Sequence, residues 1–144
     1  MCQNCENYEE IIKELCYDRA FGILTRNGLE YEIKGIKDVS NLYVVWMDFC
    51  DISKLNVIYG YEEVNKKFRE LFKMFEKTDD LIGRCFSGDE IIVITDNTDF
   101  IVDLKQESQL IGLEFRYCIS KFTGNLDRDL RDIYADIFRT NGSR

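Results

Sequence analysis

The sequence predicts an α-plus-β fold in which helices pack on a mixed β-sheet with a central β-hairpin. Residues 42–47 form a continuous apolar run, which is typical of a strand buried on both faces. Two more apolar runs, residues 81–82 and 91–94, lie on either side of a glycine and two acids and predict hairpin strands over residues 81–86 and 91–95. Helical spacing of apolar residues fills most of the remaining chain, so helices alternate with strands except at the hairpin.

The other elements follow from apolar spacing and end signals. Residues 61–75 form the clearest helix, with apolar side chains three or four positions apart. Gly60 closes the shorter helix before it. The remaining predictions are helices over residues 8–17, 27–36, 51–58, 99–110 and 125–139 and a strand over residues 115–120.

Composition favours one folded domain and disfavours several partners. The chain has 144 residues, 45% hydrophobic residues and a net charge of −8, values typical of a globular domain with one core. The acidic balance argues against nucleic-acid binding, which depends on neutralising phosphates. No apolar run is long enough to span a membrane, and the N-terminus does not resemble a signal peptide. We divide the chain into an N-terminal helical extension, residues 1–17, and a domain, residues 18–144.

The chain contains no His and six Cys. Without His, Ser-His-Asp and Cys-His catalysis and His-ligated metals are excluded, which leaves carboxylate, Lys, Tyr and Cys chemistry. Cys50, Cys85 and Cys118 lie in or beside apolar strands, where Cys acts as a small hydrophobic residue. Reduced thiols and a cytoplasmic location are therefore expected.

Three acids are the candidate site. Asp89 and Glu90 follow the glycine of the hairpin, and Asp48 follows the buried strand. If this strand lies beside the hairpin, the three carboxylates emerge at one end of the sheet and offer the oxygen ligands that Mg²⁺ prefers. The alternative for the hairpin acids is a solvated turn, where acids are common.

Residues 87–91 read Ser-Gly-Asp-Glu-Ile and resemble the Gly-Gly-Asp/Glu-Glu-Phe signature of GGDEF domains, the catalytic domains of diguanylate cyclases. Residues 48–61 are similar to the family pattern D-x-D-x-F-K-x-x-N-D-x-x-G-H, with Asp48, Asn56 and Gly60 in register. The family's entry and closing motifs have counterparts at Asp18, Gly22, Arg26, Asp132 and Arg139. The resemblance covers residues 18–144 and implies a palm-like α/β fold related to nucleotidyl cyclases.

By this resemblance, Asp48 and Asp89 bind two Mg²⁺ (or Mn²⁺) ions and Glu90 helps to neutralise the metal–triphosphate cluster, so that Asp89 and Glu90 are the catalytic acids. The Phe49 carbonyl is a further metal ligand. The implied substrate-binding residues are Asn56 and Asn65 for the base and, for the phosphates, Arg139 and the backbone of Cys50, Asp51 and Ile52. Gly88 is a further implied substrate-binding residue.

The implied reaction is condensation of two nucleoside triphosphates, GTP or ATP, into a cyclic dinucleotide by a homodimer, with release of pyrophosphate. Asn65 stands where the family has a base-reading Asp, and an amide donates as well as accepts, so adenine becomes an alternative to guanine. Ser143 stands where an Arg is expected. These departures support the alternative of a catalytically weak or inactive nucleotide-binding, sensor or interaction domain.

Three of the implied substrate residues also have simpler interpretations. Asn56 can be a helix-end residue before Gly60, which its residues alone favour. Asn65 can be a solvated residue at a helix edge. Arg139 can be a cation near a helix C-terminus that complements the helix dipole.

Overall fold

The computed structural model describes the backbone of residues 2–85 and 89–142 and the side chains of residues 8–85 and 89–139. Six α-helices and six β-strands occur in these ranges. The helices are α1 (Cys2–Cys16), α2 (Arg26–Ile33), α3 (Ile52–Tyr59), α4 (Tyr61–Phe72), α5 (Phe100–Leu110) and α6 (Leu126–Gly142). The strands are β1 (Tyr17–Asp18), β2 (Ile23–Leu24), β3 (Tyr43–Phe49), β4 (Leu81–Arg84), β5 (Glu90–Thr95) and β6 (Phe115–Lys121).

The strands form one mixed sheet in the order β1-β2-β4-β5-β3-β6. The β2–β4 pair is parallel, and the other four pairs are antiparallel. The hairpin β4–β5 therefore lies at the centre, and β3 pairs with β5 on one side and β6 on the other. This arrangement confirms the predicted α-plus-β class, the mixed sheet and the central hairpin.

Two apolar layers cover the sheet. On one face, Met47 and its neighbours pack under α3, α4 and α5, and Phe68 of α4 stacks on Phe21 with ring centroids 4.2 Å apart. On the other face, Trp46 packs with side chains of α2 and α6, including Leu29 and Leu130. Residues Val44 to Met47 are all buried, which confirms that β3 is covered on both faces.

The predicted helices are all present, with ends that differ by a few residues. A 3₁₀ turn (Lys73–Phe75) follows α4, so the predicted helix over residues 61–75 tightens in its last turn. The prediction over residues 8–17 was wrong at both ends, because α1 begins at Cys2 and Tyr17 lies in β1. The two-residue strands β1 and β2 were missed. The four cysteines among the described side chains are free, as expected.

Candidate active site at the ends of strands β3 and β5

The pairing of β3 with β5 brings the candidate acids to one end of the sheet. Asp48 lies directly opposite Glu90 in the antiparallel register. The Phe49 N–H donates to the Asp89 carbonyl over 3.0 Å, which extends the ladder by one residue. The predicted adjacency of the buried strand and the hairpin is therefore confirmed.

Asp89 lies in a partly buried, electronegative position at the turn. Burial raises the pKa of the Asp89 carboxyl, and the charges of Asp48 and Glu90 raise it further, while the Arg84 guanidinium opposes the shift. The Asp89 carboxylate is thus close enough to Asp48 to be destabilised by it. Such a pair of like charges favours the binding of a cation or a proton.

Glu90 belongs to strand β5 and not to the turn, contrary to the prediction that the hairpin tip includes residue 90. Its backbone carbonyl accepts from the Cys85 N–H over 2.8 Å, which continues the ladder between the two hairpin strands. Because side chains alternate between faces along a strand, Glu90 lies on the same face as Ile92 and Ile94, next to α6.

The Glu90 carboxylate is held by aromatic donors. Its Oε1 accepts from the Trp46 indole N–H over 2.8 Å and from the Tyr134 hydroxyl over 3.0 Å. The Tyr134 oxygen also lies 3.4 Å from the Cys85 sulfur. Burial raises the pKa of Tyr134, and its bond to Cys85 and the Glu90 charge add to the shift, so Tyr134 is a neutral donor to Glu90.

Asp48 has a cationic partner that sequence reasoning missed. Arg116 of β6 lies directly opposite Asp48 on the side away from Glu90. Its Nε and Nη2 atoms are each 3.0 Å from Asp48 Oδ2. No sequence motif predicted this contact, since it depends on the β3–β6 register.

The metal-binding roles of Asp48, Phe49, Asp89 and Glu90 stay predictions. Among the described side chains, no group of three or more Asp, Glu or Cys residues is arranged to hold a metal ion. Glu90 Oε1 is bonded to Trp46 and Tyr134, and the charges of Asp48 and Glu90 both disfavour the ionised form of Asp89. Two hard oxygen donors, with water and substrate oxygens, suit Mg²⁺ or Mn²⁺.

No protein-family model matches the sequence, and no curated protein matches it either. Solved structures do match. The coiled coil and GGDEF domain of DgcB from Caulobacter crescentus, in complex with c-di-GMP, matches with a TM-score of 0.72 and 11% identity over 99% of this chain and 89% of that chain. A diguanylate cyclase/phosphodiesterase from Caldicellulosiruptor saccharolyticus matches with a TM-score of 0.60 and 20% identity over 79% of this chain and 80% of that chain.

A sensory box/GGDEF family protein from Caulobacter crescentus gives a TM-score of 0.58 and 17% identity over 89% of this chain and 99% of that chain. The chain has a GGDEF-like fold. The low identities make it a divergent example. Of the segment that resembles the family signature, Asp89 lies in a turn and Glu90 and Ile91 begin β5, while Ser87 and Gly88 lie outside the described residues. No described helix is long and apolar enough to cross a membrane.

The backbone segment expected to bind phosphate in this GGDEF-like fold, residues 50–52, is partly occupied by contacts within the protein. The Cys50 N–H donates to the Glu114 carbonyl over 2.8 Å, and the predicted phosphate contact of Cys50 stays a prediction. Asp51 is left-handed, with φ of 59°, and its side chain does not cap α3. A non-glycine residue in this region costs free energy and is enriched at ligand-binding turns. Ile52 begins α3 directly after this turn.

The two predicted base-binding residues lie on adjacent helices. Asn56 is on α3 and Asn65 on α4, and these helices pack against each other. The Oδ1 atom of Asn56 is shielded from solvent and has no hydrogen-bond partner among the described residues. Buried amide oxygens are almost always satisfied, so Asn56 Oδ1 has acceptor capacity that the described residues do not use. The contacts of Asn65 stay a prediction.

Arg139 lies in the last part of α6 and pairs with Asp136 over 2.8 Å, with 76% of its side chain exposed. This contact is an i, i+3 pair on the surface of the helix. The role of Arg139 as a phosphate ligand stays a prediction.

Two connected clefts open beside the end of β3, a feature that the sequence did not predict. A cleft of about 430 Å³ lies between α3 and the loop from α5 to β6 and is lined by Lys54, Leu55 and Ile58 among others. A cleft of about 160 Å³ is lined by Lys105 and Arg116. Both include Cys50, Gln109 and Glu114 in their walls. These walls combine two Lys and one Arg with apolar side chains next to the candidate acids.

Proposed function

We propose that this GGDEF-like protein is a metal-dependent nucleotidyltransferase that condenses two nucleoside triphosphates, GTP or ATP, into a cyclic dinucleotide. The observation that carries the proposal is the register of β3 and β5. It sets Asp48 beside Glu90 and links Phe49 to Asp89 at the end of the sheet. The match to solved diguanylate cyclase domains supports the same reaction class.

Each 3′-hydroxyl attacks the α-phosphorus of the other nucleotide, so two P–O bonds form, two break and two pyrophosphates leave. Each copy of the chain holds one nucleotide, and a homodimer in the cytoplasm is the proposed working form. Bound Mg²⁺ or Mn²⁺ would lower the pKa of the hydroxyl and offset the charge on the phosphates.

Each residue of the proposed site has a separate role. Asp48, Asp89 and the Phe49 carbonyl would hold the cation, and a bound cation would favour the ionised form of Asp89 against the burial and the Asp48 charge that raise its pKa. Glu90, held by Trp46 and Tyr134, supplies a fixed negative charge beside Asp48. Asn56 and Asn65 contact the base, and the backbone at Asp51 and Ile52 contacts the phosphates.

Incubation of the purified protein with GTP, with ATP and with both, in Mg²⁺ or Mn²⁺, tests the proposal by mass spectrometry of the products. We expect a cyclic dinucleotide from at least one mixture and none from Asp89→Asn. Asn65→Asp should shift the product towards guanine, because a carboxylate only accepts hydrogen bonds. Absence of cyclic and linear products from every mixture at high protein concentration would reject the enzyme.

A nucleotide-binding sensor or interaction domain without turnover is the second candidate. Two contacts favour it: Arg116 pairs with Asp48, and Glu90 is bound to Trp46 and Tyr134. Calorimetry would then show saturable binding of a nucleoside triphosphate while mass spectrometry finds no product. Turnover that Asp89→Asn abolishes would exclude this candidate.

A further inference from the structure

Three neighbouring strands place charged side chains in a row at one end of the sheet. Glu90 of β5 lies opposite Asp48 of β3, and Asp48 lies opposite Arg116 of β6. Directly paired residues project from the same face, so the order across the sheet is acid, acid, base. The Arg116 guanidinium also lies 5.6 Å from the centre of the Trp46 ring, one step further along the same face.

The contact to Asp48 is short and uses two nitrogens. Both Nε and Nη2 of Arg116 are 3.0 Å from the same oxygen, Asp48 Oδ2. The Asp48 side chain is 25% exposed and that of Arg116 is 56% exposed, so the guanidinium covers the acid from the solvent side.

We propose that Arg116 is a built-in counter-ion of Asp48 that a divalent cation has to displace, a regulation of metal loading that rests on the proposed role of Asp48 as a metal ligand. A cation that coordinates Asp48 would lie about 2.1 Å from a carboxylate oxygen. If Arg116 kept its contact, its positive charge would be only a few ångströms from the ion. Repulsion at that distance, even with the dielectric constant of water, lowers cation affinity by about tenfold.

A cleft beside Arg116 has room for the displaced guanidinium. Arg116 lines the 160 Å³ cleft together with Lys105. The Lys105 ammonium donates to the Phe115 carbonyl and lies 4.1 Å from the centre of the Phe115 ring. Because 56% of the Arg116 side chain is exposed, its rotation into this cleft or into solvent gives up the contacts with Asp48 and the Trp46 ring but leaves the guanidinium solvated. The loaded state then has the cation at Asp48 and the guanidinium beside the site.

The test is Mn²⁺ binding, measured by calorimetry and by the electron paramagnetic resonance of free Mn²⁺ at low ionic strength. We expect Arg116→Gln to bind Mn²⁺ about fivefold to tenfold more tightly than the wild type. Arg116→Lys, which keeps the charge but loses the two-nitrogen contact, should lie in between. Arg128→Gln removes an exposed positive charge elsewhere and serves as the control, with a change below about twofold.

If Arg116 had only a structural role, its removal would weaken Mn²⁺ binding. Tighter Mn²⁺ binding by Arg116→Gln is therefore expected only from the counter-ion proposal. An Arg116→Gln affinity equal to or weaker than that of Arg128→Gln would overturn it. Asp48→Asn distinguishes failure of the counter-ion role of Arg116 from failure of the metal role of Asp48. If Asp48→Asn abolishes Mn²⁺ binding and Arg116→Gln leaves it unchanged, the metal role of Asp48 stands and the counter-ion fails. If no variant binds Mn²⁺ or Asp48→Asn binds it normally, both are rejected.

Discussion

Trp46 donates its indole N–H to Oε1 of Glu90 over 2.8 Å, on the face of the sheet where alternation along β5 places Glu90. With the second donor, Tyr134, it fixes the carboxylate on the α6 side. Asp89, the preceding residue, instead experiences the charges of Asp48 and Arg84 at the turn. Two adjacent acids thus have different environments, and we expect them to respond differently to mutation.

The first prediction concerns the hydroxyl of Tyr134. Tyr134→Phe removes a donor to a partly buried carboxylate and the contact with the Cys85 sulfur. We expect the free energy of unfolding to fall by about 1–2 kcal/mol, because hydrogen bonds to charged groups are worth more than neutral ones. Urea denaturation measures the change. Tyr117→Phe, at a tyrosine that is 46% exposed, is the control, and equal effects of the two variants would contradict the prediction.

The second prediction concerns pH and Asp89. The folded pKa of Asp89 lies above its unfolded value, so between the two values the folded state binds more protons and stability falls as pH rises. The loss of stability reaches its full value once Asp89 is ionised in both the folded and the unfolded state. Without divalent cations, Asp89→Asn should therefore be more stable than the wild type at pH 7.

The same linkage predicts that the advantage of Asp89→Asn disappears below about pH 3.9, where the carboxyl is protonated in both states. Urea denaturation from pH 3.5 to 8 measures it. An advantage that does not change with pH, or that grows as pH falls, would show that Asp89 is not destabilised by its charge.

The third prediction concerns the stabilisation of the fold by a divalent cation. If Asp48 and Asp89 bind Mn²⁺, a concentration one hundred times the Kd should add about 2.7 kcal/mol to the free energy of unfolding. For a domain of this size, that corresponds to an increase in Tm of about 5–10 °C. Asp48→Asn should lose the increase. Ca²⁺ and Na⁺ at matched ionic strength separate binding from screening, and an equal shift in Asp48→Asn would place the ion elsewhere.

Much of the fold was predictable because it depends on local patterns. The apolar run that became β3 and the spacing that became α4 are set by burial on both faces and on one face, respectively. The strands Tyr17–Asp18 and Ile23–Leu24 were not predictable, because two residues carry no periodicity.

The acids of the candidate site were predictable from the sequence, but the residues that contact them were not. Alternation along β5 is a signal that could have placed Glu90 on the face of Ile92 and Ile94. The pairing of Asp48 with Arg116 depends on the register between distant strands, and a shift of one residue would have turned Arg116 to the other face. The buried, unpartnered oxygen of Asn56 likewise depends on how α3 packs on α4.

The last prediction concerns Gly28, where the end of α1 approaches α2. A Cβ on Gly28 would lie 2.1 Å from the Cys16 carbonyl oxygen. That oxygen cannot move freely, because it accepts from the Thr25 N–H over 2.9 Å, while the Thr25 hydroxyl accepts from the Gly28 N–H and so caps α2. Gly28→Ala therefore forces backbone apart and should lower the free energy of unfolding by about 3 kcal/mol. Gly35→Ala is the matched control near the other end of α2. Its new Cβ would meet the Glu32 carbonyl at 3.4 Å, so a change within about 0.5 kcal/mol is expected. Urea denaturation measures the free energy of unfolding of both variants. A loss for Gly28→Ala no larger than that for Gly35→Ala would contradict the close approach of α1 to Gly28.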